Sequence, residues 1–445
     1  MSDGGLFAPV FSTPELREAF SARAWLQALL DFEAALARVQ ARAGRIPAGA
    51  AAAIGAACRA ENFDSQALAE AGLAAGNPVI PLVRALAAAL PRDASGFAHF
   101  GATSQDALDS ALMLLSRRAL DLVLVELDAL LDTCAALASA QRDTPLPART
   151  LLQHALPTTF GYKVAGWLAA LMDARARLVS LRATGLAVQL GGAAGTLAAL
   201  EPDALALAAD LARELGLAEP LLPWHAARGR VAELACALGV TAGALGKVAL
   251  DLALLTQTEV GELREAAGPG RGGSSTLPQK RNPVGAAAAL ACAKRAPGLV
   301  SAVLSAMPQE HERAVGGWQM EWETLPELFR LSGAAATHLG VALRGLEVDA
   351  ERMRANLAAT GGALVAERVA LALAPRLGRL AAQALVESAC RRGGALREAL
   401  AAEPRIAAEL EPAEIERLLE PTGYLGAAGE LVDRVLASWR QVRAR

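Results

Sequence analysis

The 445-residue chain is poor in aromatic residues, which make up 4% of it, and has only four lysines: Lys163, Lys247, Lys280 and Lys294. Runs in which β-branched and polar residues alternate are scarce, which argues against an extensive sheet. No block of like charge stands out among the 43 basic and 46 acidic residues. Nothing therefore points to a nucleic-acid surface or a polybasic membrane anchor. The five cysteines (Cys58, Cys134, Cys236, Cys292, Cys390) form no C-x-x-C pair, and no H-E-x-x-H or Cys/His ligand spacing occurs. The expectation is small core-filling thiols in a reducing cytoplasm, with no metal and no other cofactor. Met1–Gly5 carries neither a basic start nor an apolar run, so no secretory signal is expected. Uncharged stretches such as 183–200 are rich in Gly, Ala and Thr and lack the sustained bulk of a membrane span.

What is abundant is alanine and leucine, which dominate a hydrophobic fraction of 53%. Both are strong helix formers, and alanine lets helix backbones approach closely, so an all-α fold is expected. Short helical patterns broken by turns such as Asn77-Pro78 and Pro91-Arg92-Asp93 fill residues 1–104. From Gln105 to about Arg142 there is no Gly or Pro, and Leu108, Leu112, Leu115, Ala119 and Leu122 recur at spacings of four and three. That pattern predicts a long amphipathic helix. Similar patterns cover 161–186, 229–266, 284–307 and about 325–346, so 105–350 reads as a central antiparallel bundle of long helices. Shorter helices return in 351–445, which reads as a third, smaller domain. The stretches 234–246 and 284–293 are uncharged. A helix apolar on most faces must be buried on most faces, which predicts a homo-oligomer whose copies share helices.

One segment is out of place in this background. Residues 268–283, Gly-Pro-Gly-Arg-Gly-Gly-Ser-Ser-Thr-Leu-Pro-Gln-Lys-Arg-Asn-Pro, join two bundle helices through a long Gly-rich loop. Such a loop is either a flexible linker or functional. Pro278, Lys280, Asn282 and Pro283, placed just before a helix start, favour function. Glycines let backbone amides turn to a ligand, the helix start favours an anion, Lys280 adds charge and Asn282 an amide donor. The loop is equipped to hold a carboxylate and its enolate-like form.

Residues 273–283 resemble the signature of the fumarase/aspartase superfamily, G-S-S-x-M-P-x-K-x-N-P, with Leu277 in place of Met as the one departure. Two other segments resemble the remaining regions of that family's site: Gly101-Ala-Thr-Ser-Gln-Asp106, and Arg149-Thr-Leu-Leu-Gln-His-Ala-Leu-Pro-Thr-Thr159. Further similarity runs through Gly191–Thr196, Pro223–His225, Gln309–Arg313, Gly316–Trp318 and Tyr424–Ala428, and so covers nearly the whole chain. The resemblance implies a long helical bundle flanked by smaller helical domains and a homotetramer whose sites are shared between subunits. It also implies a small polycarboxylate substrate, with no nucleic acid and no membrane as partner. It places the catalytic base at Ser275 and substrate carboxylate contacts at Lys280, Asn282, Thr103, Ser104, Gln105, Thr150 and Gln153. Taken alone, Thr103 and Ser104 would read as plain helix caps.

The informative departure is Leu151, which stands where the family carries a histidine. A histidine helps a poor leaving group depart. A carboxylate leaves as an anion, because its conjugate acid has a pKa of about 4, and in reverse it attacks without a base. Leu151 therefore fits an enzyme that joins a carboxylate to an alkene to close a lactone; a C–N lyase of the adenylosuccinate lyase kind is the alternative. His154 is a candidate acid/base or carboxylate contact, or else a hydrogen-bonding support to the site. His311, between Glu310 and Glu312, reads as a solvated charged turn that the resemblance raises to a possible site residue. His99, His225 and His338 fall in no pattern and read as structural. The Gly191-Gly192-x-x-Gly195 run has no preceding strand and reads as a close-packing turn.

Overall fold

The structure, a computed structural model, describes residues 5–266, 268, 272–274 and 276–444. It is all-α, and among the described residues the sheets are two small antiparallel pairs. The elements that matter for the site are α1 (Ala22–Arg42), α2 (Ser104–Ala140), β1 (Pro145–Thr150), β2 (Gln153–Thr159), α3 (Phe160–Ser180) and α4 (Ala204–Leu215). They continue with α5 (Gly229–Leu255), β3 (Leu263–Arg264), α6 (Val284–Ser305), α7 (Gly317–Arg344), β4 (Glu347–Val348), α8 (Ala350–Ala358) and α9 (Ala428–Arg443). Two compact units divide the chain: Met1–Asp128, Asp173–Gly246 and Ala288–Thr337 form the first, and Ala129–Met172, Lys247–Ala287 and His338–Arg445 the second.

The five long helices expected from the sequence are α2, α3, α5, α6 and α7, with changed ends. Helix α5 stops at Leu255 instead of running to residue 266. The chain turns there: the Gly261 amide donates to the Gln257 carbonyl at 2.7 Å and Gly261 adopts φ +63°. Helix α7 starts at Gly317, eight residues before the expected start, and takes Pro326 into its interior. Edge-to-face packing of Trp318 on Trp322, 5.0 Å between ring centres, holds that first stretch in place.

In the first unit, α1 begins at the Ser21 side chain, which accepts the Ala24 amide at 3.1 Å. It buries Leu26, Leu29, Leu30, Phe32, Leu36 and Val39 on its inner face. Arg38 and Arg42 both reach Glu214 at the end of α4, at 2.7 and 2.8 Å. Every residue of α2 from Gln105 to Ser116 is buried. A helix without a solvent face must pair its own polar side chains inside the protein, since an unpaired buried polar group is costly. Those pairings build the site.

In the second unit, β1 and β2 form a hairpin closed by Leu151 and Leu152, with Thr150 opposite Gln153 and Arg149 opposite His154. The C-terminal α9 is fixed to the end of α2 by Asp132, which accepts from Trp439 Nε1 at 3.1 Å and Arg443 Nη2 at 2.7 Å. Arg142 reaches Asp433 with two further bonds of 3.0 and 2.8 Å.

The hairpin was not anticipated. Its turn places leucines at φ +50° and +66°, a conformation that suits Asn-Gly and costs a leucine about 1 kcal/mol. Leu151 is 97% exposed and Leu152 73%, so neither is held there by packing within the chain. Replacing the pair by Asn-Gly should raise unfolding free energy by about 1–2 kcal/mol in urea titration. An unchanged midpoint would mean that the turn stores no strain.

By length and composition α5 and α6 could each cross a membrane. Yet α6 carries Lys294 and Arg295 in its middle, where a bilayer would penalise them heavily.

Candidate active site

In the first unit the segment 101–106 is fixed from several sides. Thr103 precedes α2, and its amide donates to Asp106 Oδ2 at 2.9 Å, the backward bond of a capping box. The same carboxylate accepts the amides of Gly191 and Gly192, both at 2.9 Å, and faces His225 Nε2 at 2.7 Å. Gly191–Gly195 is thus the close-packing turn expected from the sequence. A Cβ on Gly191 would come within 2.8 Å of the His225 ring.

Thr103 and Ser104 are half-buried. Arg313 Nη1 donates to Thr103 Oγ1 at 3.0 Å and Nη2 to the Ala193 carbonyl at 3.2 Å. Its Nε is buried without a partner, and no carboxylate pairs with it among the described residues. Sequence reasoning noted the Gln309–Arg313 run but did not single out this arginine. His311, exposed and at φ +46°, lies in the same turn. Gln105 is fully buried, and its Nε2 donates to the His225 carbonyl at 2.9 Å and to Asp109 at 3.2 Å.

Behind this turn sits a fully buried charge network. Arg228 grips Asp109 at 2.7 and 3.0 Å and Glu321 at 3.0 and 2.5 Å. Asp109 also accepts from Trp318 Nε1, Gln105 and Gln189. Burial opposes the charge on Arg228, but the two carboxylates outweigh it and hold its pKa up. Burial also pushes the Glu321 carboxyl up, against the pull of Arg228.

On the other side of the turn, His99 adopts φ +58° and its Nδ1 lies 2.6 Å from Glu33 Oε1 on α1. Burial works against an imidazolium here, but the Glu33 carboxylate prevails and the His99 pKa is raised. A raised folded-state value means that the pair stabilises the fold below the unfolded value of about 6.5 and that this contribution fades as pH rises through the folded value. Glu33→Gln should therefore lower the thermal midpoint at pH 6 more than at pH 9. A loss that is equal at both pH values would show that His99 does not titrate between them.

In the second unit Thr150 and Gln153 are exposed on the hairpin and His154 is half-buried beside them. Burial, and then the neighbouring Arg149 charge, lower the His154 pKa, with Glu262 partly offsetting them. Arg149 is itself clamped by Glu262 at 3.0 and 2.6 Å, and Asn356 of α8 adds a bond of 2.8 Å to that carboxylate.

Three residues further on, Glu265 accepts the amides of Gly285 and Ala286 at 3.0 and 2.8 Å. The start of α6, expected from the sequence to attract a substrate anion, is thus already occupied by a carboxylate of the chain itself. Lys280 is exposed, Asn282 half-buried, and the Asn282 amide donates to the Gly272 carbonyl at 2.8 Å. Arg281 between them binds Glu347 and the Glu265 carbonyl. Ser275 lies outside the described residues. Among the described residues no group of three His, Cys, Asp or Glu side chains could hold a metal ion.

The family described as Lyase matches residues 10–298, and the one described as the adenylosuccinate lyase C-terminus matches 362–435. The 3-carboxy-cis,cis-muconate cycloisomerase of Pseudomonas aeruginosa is 54% identical over 97% of this chain and 96% of its own length. A nitrosuccinate lyase of Streptomyces davaonensis is 45% identical over 98% of this chain and 94% of its own. The crystal structure of 3-carboxy-cis,cis-muconate lactonizing enzyme from Pseudomonas putida superposes with TM-score 0.93 at 49% identity, covering 98% of this chain and 99% of that one. With the family match spanning more than half the chain and relatives of this identity spanning nearly all of it, the chain belongs to the lyase family of the fumarase/aspartase superfamily.

Proposed function

We propose that the protein is a 3-carboxy-cis,cis-muconate cycloisomerase, closing that tricarboxylate to 4-carboxymuconolactone in protocatechuate breakdown. The observation that carries this reading is full-length similarity to relatives of that name, at 54% and 50% identity. Leu151 supports it: a lactone forms by attack of a carboxylate oxygen on the alkene, and that nucleophile needs no histidine to deprotonate it.

The reaction forms one C–O bond and one C–H bond and consumes one C=C bond. Ser275 is assigned to the proton delivered to the carbon next to a carboxylate, recovering it from solvent. The aci-carboxylate that precedes protonation is stabilised by Lys280 and Asn282. Thr103, Ser104, Thr150 and Gln153 hold the other carboxylates, and Arg313, which pairs with no carboxylate among the described residues, joins them. Gln105, buried and engaged with His225 and Asp109, is assigned a supporting place beneath the substrate. The lowered pKa of His154 favours a neutral imidazole that accepts or donates a hydrogen bond near the substrate. In this reading an N-terminal helical domain (1–104), a central long-helix bundle (105–350) and a C-terminal helical domain (351–445) make up the chain.

A homotetramer with shared sites completes the reading. Exposed apolar side chains on α5 (Val240, Leu250) and α6 (Val284, Leu304) support it, since copies packed against them would cover that surface. A stable, active monomer in sedimentation would overturn this.

The deciding experiment is a spectrophotometric assay of the purified protein with 3-carboxy-cis,cis-muconate, run in parallel with nitrosuccinate and adenylosuccinate. Loss of diene absorbance with the first substrate alone establishes the cycloisomerase. Turnover of nitrosuccinate or adenylosuccinate alone moves the protein to the C–N lyases.

A further inference from the structure

We propose that Asp106 is the positioning residue of this site: it sets where Thr103 and Ser104 meet the substrate without touching the substrate itself. The substrate in this proposal rests on the cycloisomerase reading; the geometry does not. Asp106 is fully buried, so its part can only be played through the groups around it.

Those groups come from three segments far apart in sequence. Oδ1 takes the Gly191 amide and faces His225 Nε2; Oδ2 takes the Thr103 and Gly192 amides. Four donors fill the lone pairs of one carboxylate, and each of its oxygens ties two segments together. The fit leaves no slack. A Cβ on Gly192 would lie 3.2 Å from the Gly101 carbonyl, and one on Gly101 would come 2.4 Å from the Leu200 side chain. The Ala193 carbonyl, one residue past the clamp, then receives Arg313, whose other amino group holds Thr103 Oγ1. The carboxylate thereby fixes both the hydroxyl and the cation beside it.

A second consequence follows from charge. Asp106 takes the Thr103 amide and sets a negative charge at the start of α2, where a ligand anion would otherwise sit. Recognition at this turn must therefore come from the Thr103 and Ser104 hydroxyls and from Arg313. Their placement matters to within about 0.5 Å, and a shift of about 1 Å can cost about 100-fold in rate.

The test compares wild type, D106N and H225Q for KM, kcat and the inhibition constant of propane-1,2,3-tricarboxylate, an unreactive tricarboxylate. An asparagine offers one acceptor and one donor group where four donors converge, so the turn must shift. For D106N, KM and the inhibition constant should both rise about tenfold or more, and kcat/KM should fall about 100-fold. H225Q removes a single partner and should move the same two constants in the same direction by about threefold. A merely structural role would reduce the amount of active enzyme and the thermal midpoint, leaving KM and the inhibition constant of the surviving molecules unchanged. Unchanged constants in the folded variants overturn the proposal, and if D106N does not fold, H225Q decides alone. If wild type acts on nitrosuccinate instead, the substrate reading fails, and the same comparison on nitrosuccinate still decides the role of Asp106.

Discussion

Replacing Arg228 by methionine should lower the thermal midpoint by about 3–5 °C. The side chains of Arg228, Asp109 and Glu321 are 0%, 1% and 1% exposed, so the substitution leaves two carboxylates facing each other without water or a cation. Breaking a buried pair from one side costs about 3–5 kcal/mol, several times the worth of an exposed salt bridge. In a protein of this size each kcal/mol moves the midpoint by about 1 °C. Arg228 also lies over the Trp224 ring, 4.7 Å from its centre, and that contact goes too. Glu321→Gln should be far milder. Burial already pushes the Glu321 carboxyl up, and one cation faces two carboxylates, so an uncharged partner at 321 relieves part of the imbalance. Scanning calorimetry of both variants checks the pair of expectations. An Arg228→Met midpoint within about 1 °C of wild type would show that the network contributes little to stability.

Ser275→Ala should reduce kcat by about 10³-fold while KM stays within a few-fold of wild type. Proton transfer by a positioned side chain contributes about 10²–10⁴ in rate, and the methyl group that replaces the hydroxymethyl does not disturb carboxylate binding elsewhere. Lys280→Ala makes the necessary contrast. If Lys280 binds the substrate before and during reaction, as proposed, its loss raises KM as well as lowering kcat. Steady-state kinetics on the two variants separates the roles. Normal turnover by folded Ser275→Ala would remove the serine from the mechanism and leave its signature segment a binding loop only.

Much of the fold was legible because its cause is local. The Ala/Leu periodicity that marks α2, α3, α5, α6 and α7 lies in the segments themselves, and the largest shifts of their ends fall at the Gly261 turn and at the Trp318–Trp322 contact. Pro326 is a poor helix residue by itself, yet α7 runs through it, with the edge-to-face Trp318–Trp322 contact in the turn before it. The Leu151–Leu152 hairpin was invisible for the opposite reason, since neither leucine suits a left-handed turn.

The site divides along the same line. Thr103, Ser104, Thr150, Gln153, Lys280 and Asn282 stand in short patterns that a reader can match. Glu262, Glu265 and Arg313 are joined to their partners across 20 to 210 residues with no local pattern to announce them, and Asp106 reaches Gly191 across 85. Asp106 offered one clue, its position three residues after Thr103 in a capping-box spacing. The helix start before Val284 misled, because its amides looked available until Glu265 was found on them.

The backbone around residues 272–282 bears on how freely Lys280 can wander. The Asn282 amide bonds the Gly272 carbonyl, Gly273 bridges Arg281, and Gly272 at φ +69° leaves no room for a side chain against the Asn282 carbonyl. These contacts join Gly272 to Asn282, with nine of the sixteen residues of 268–283 between them in sequence. Shortening a loop in this ratio saves only about 0.5 kcal/mol of closure entropy. The junction is therefore worth little as stability and much as geometry: Lys280 sits one residue from a closed neck, and its reach is counted from that neck and not from the distant ends of the loop.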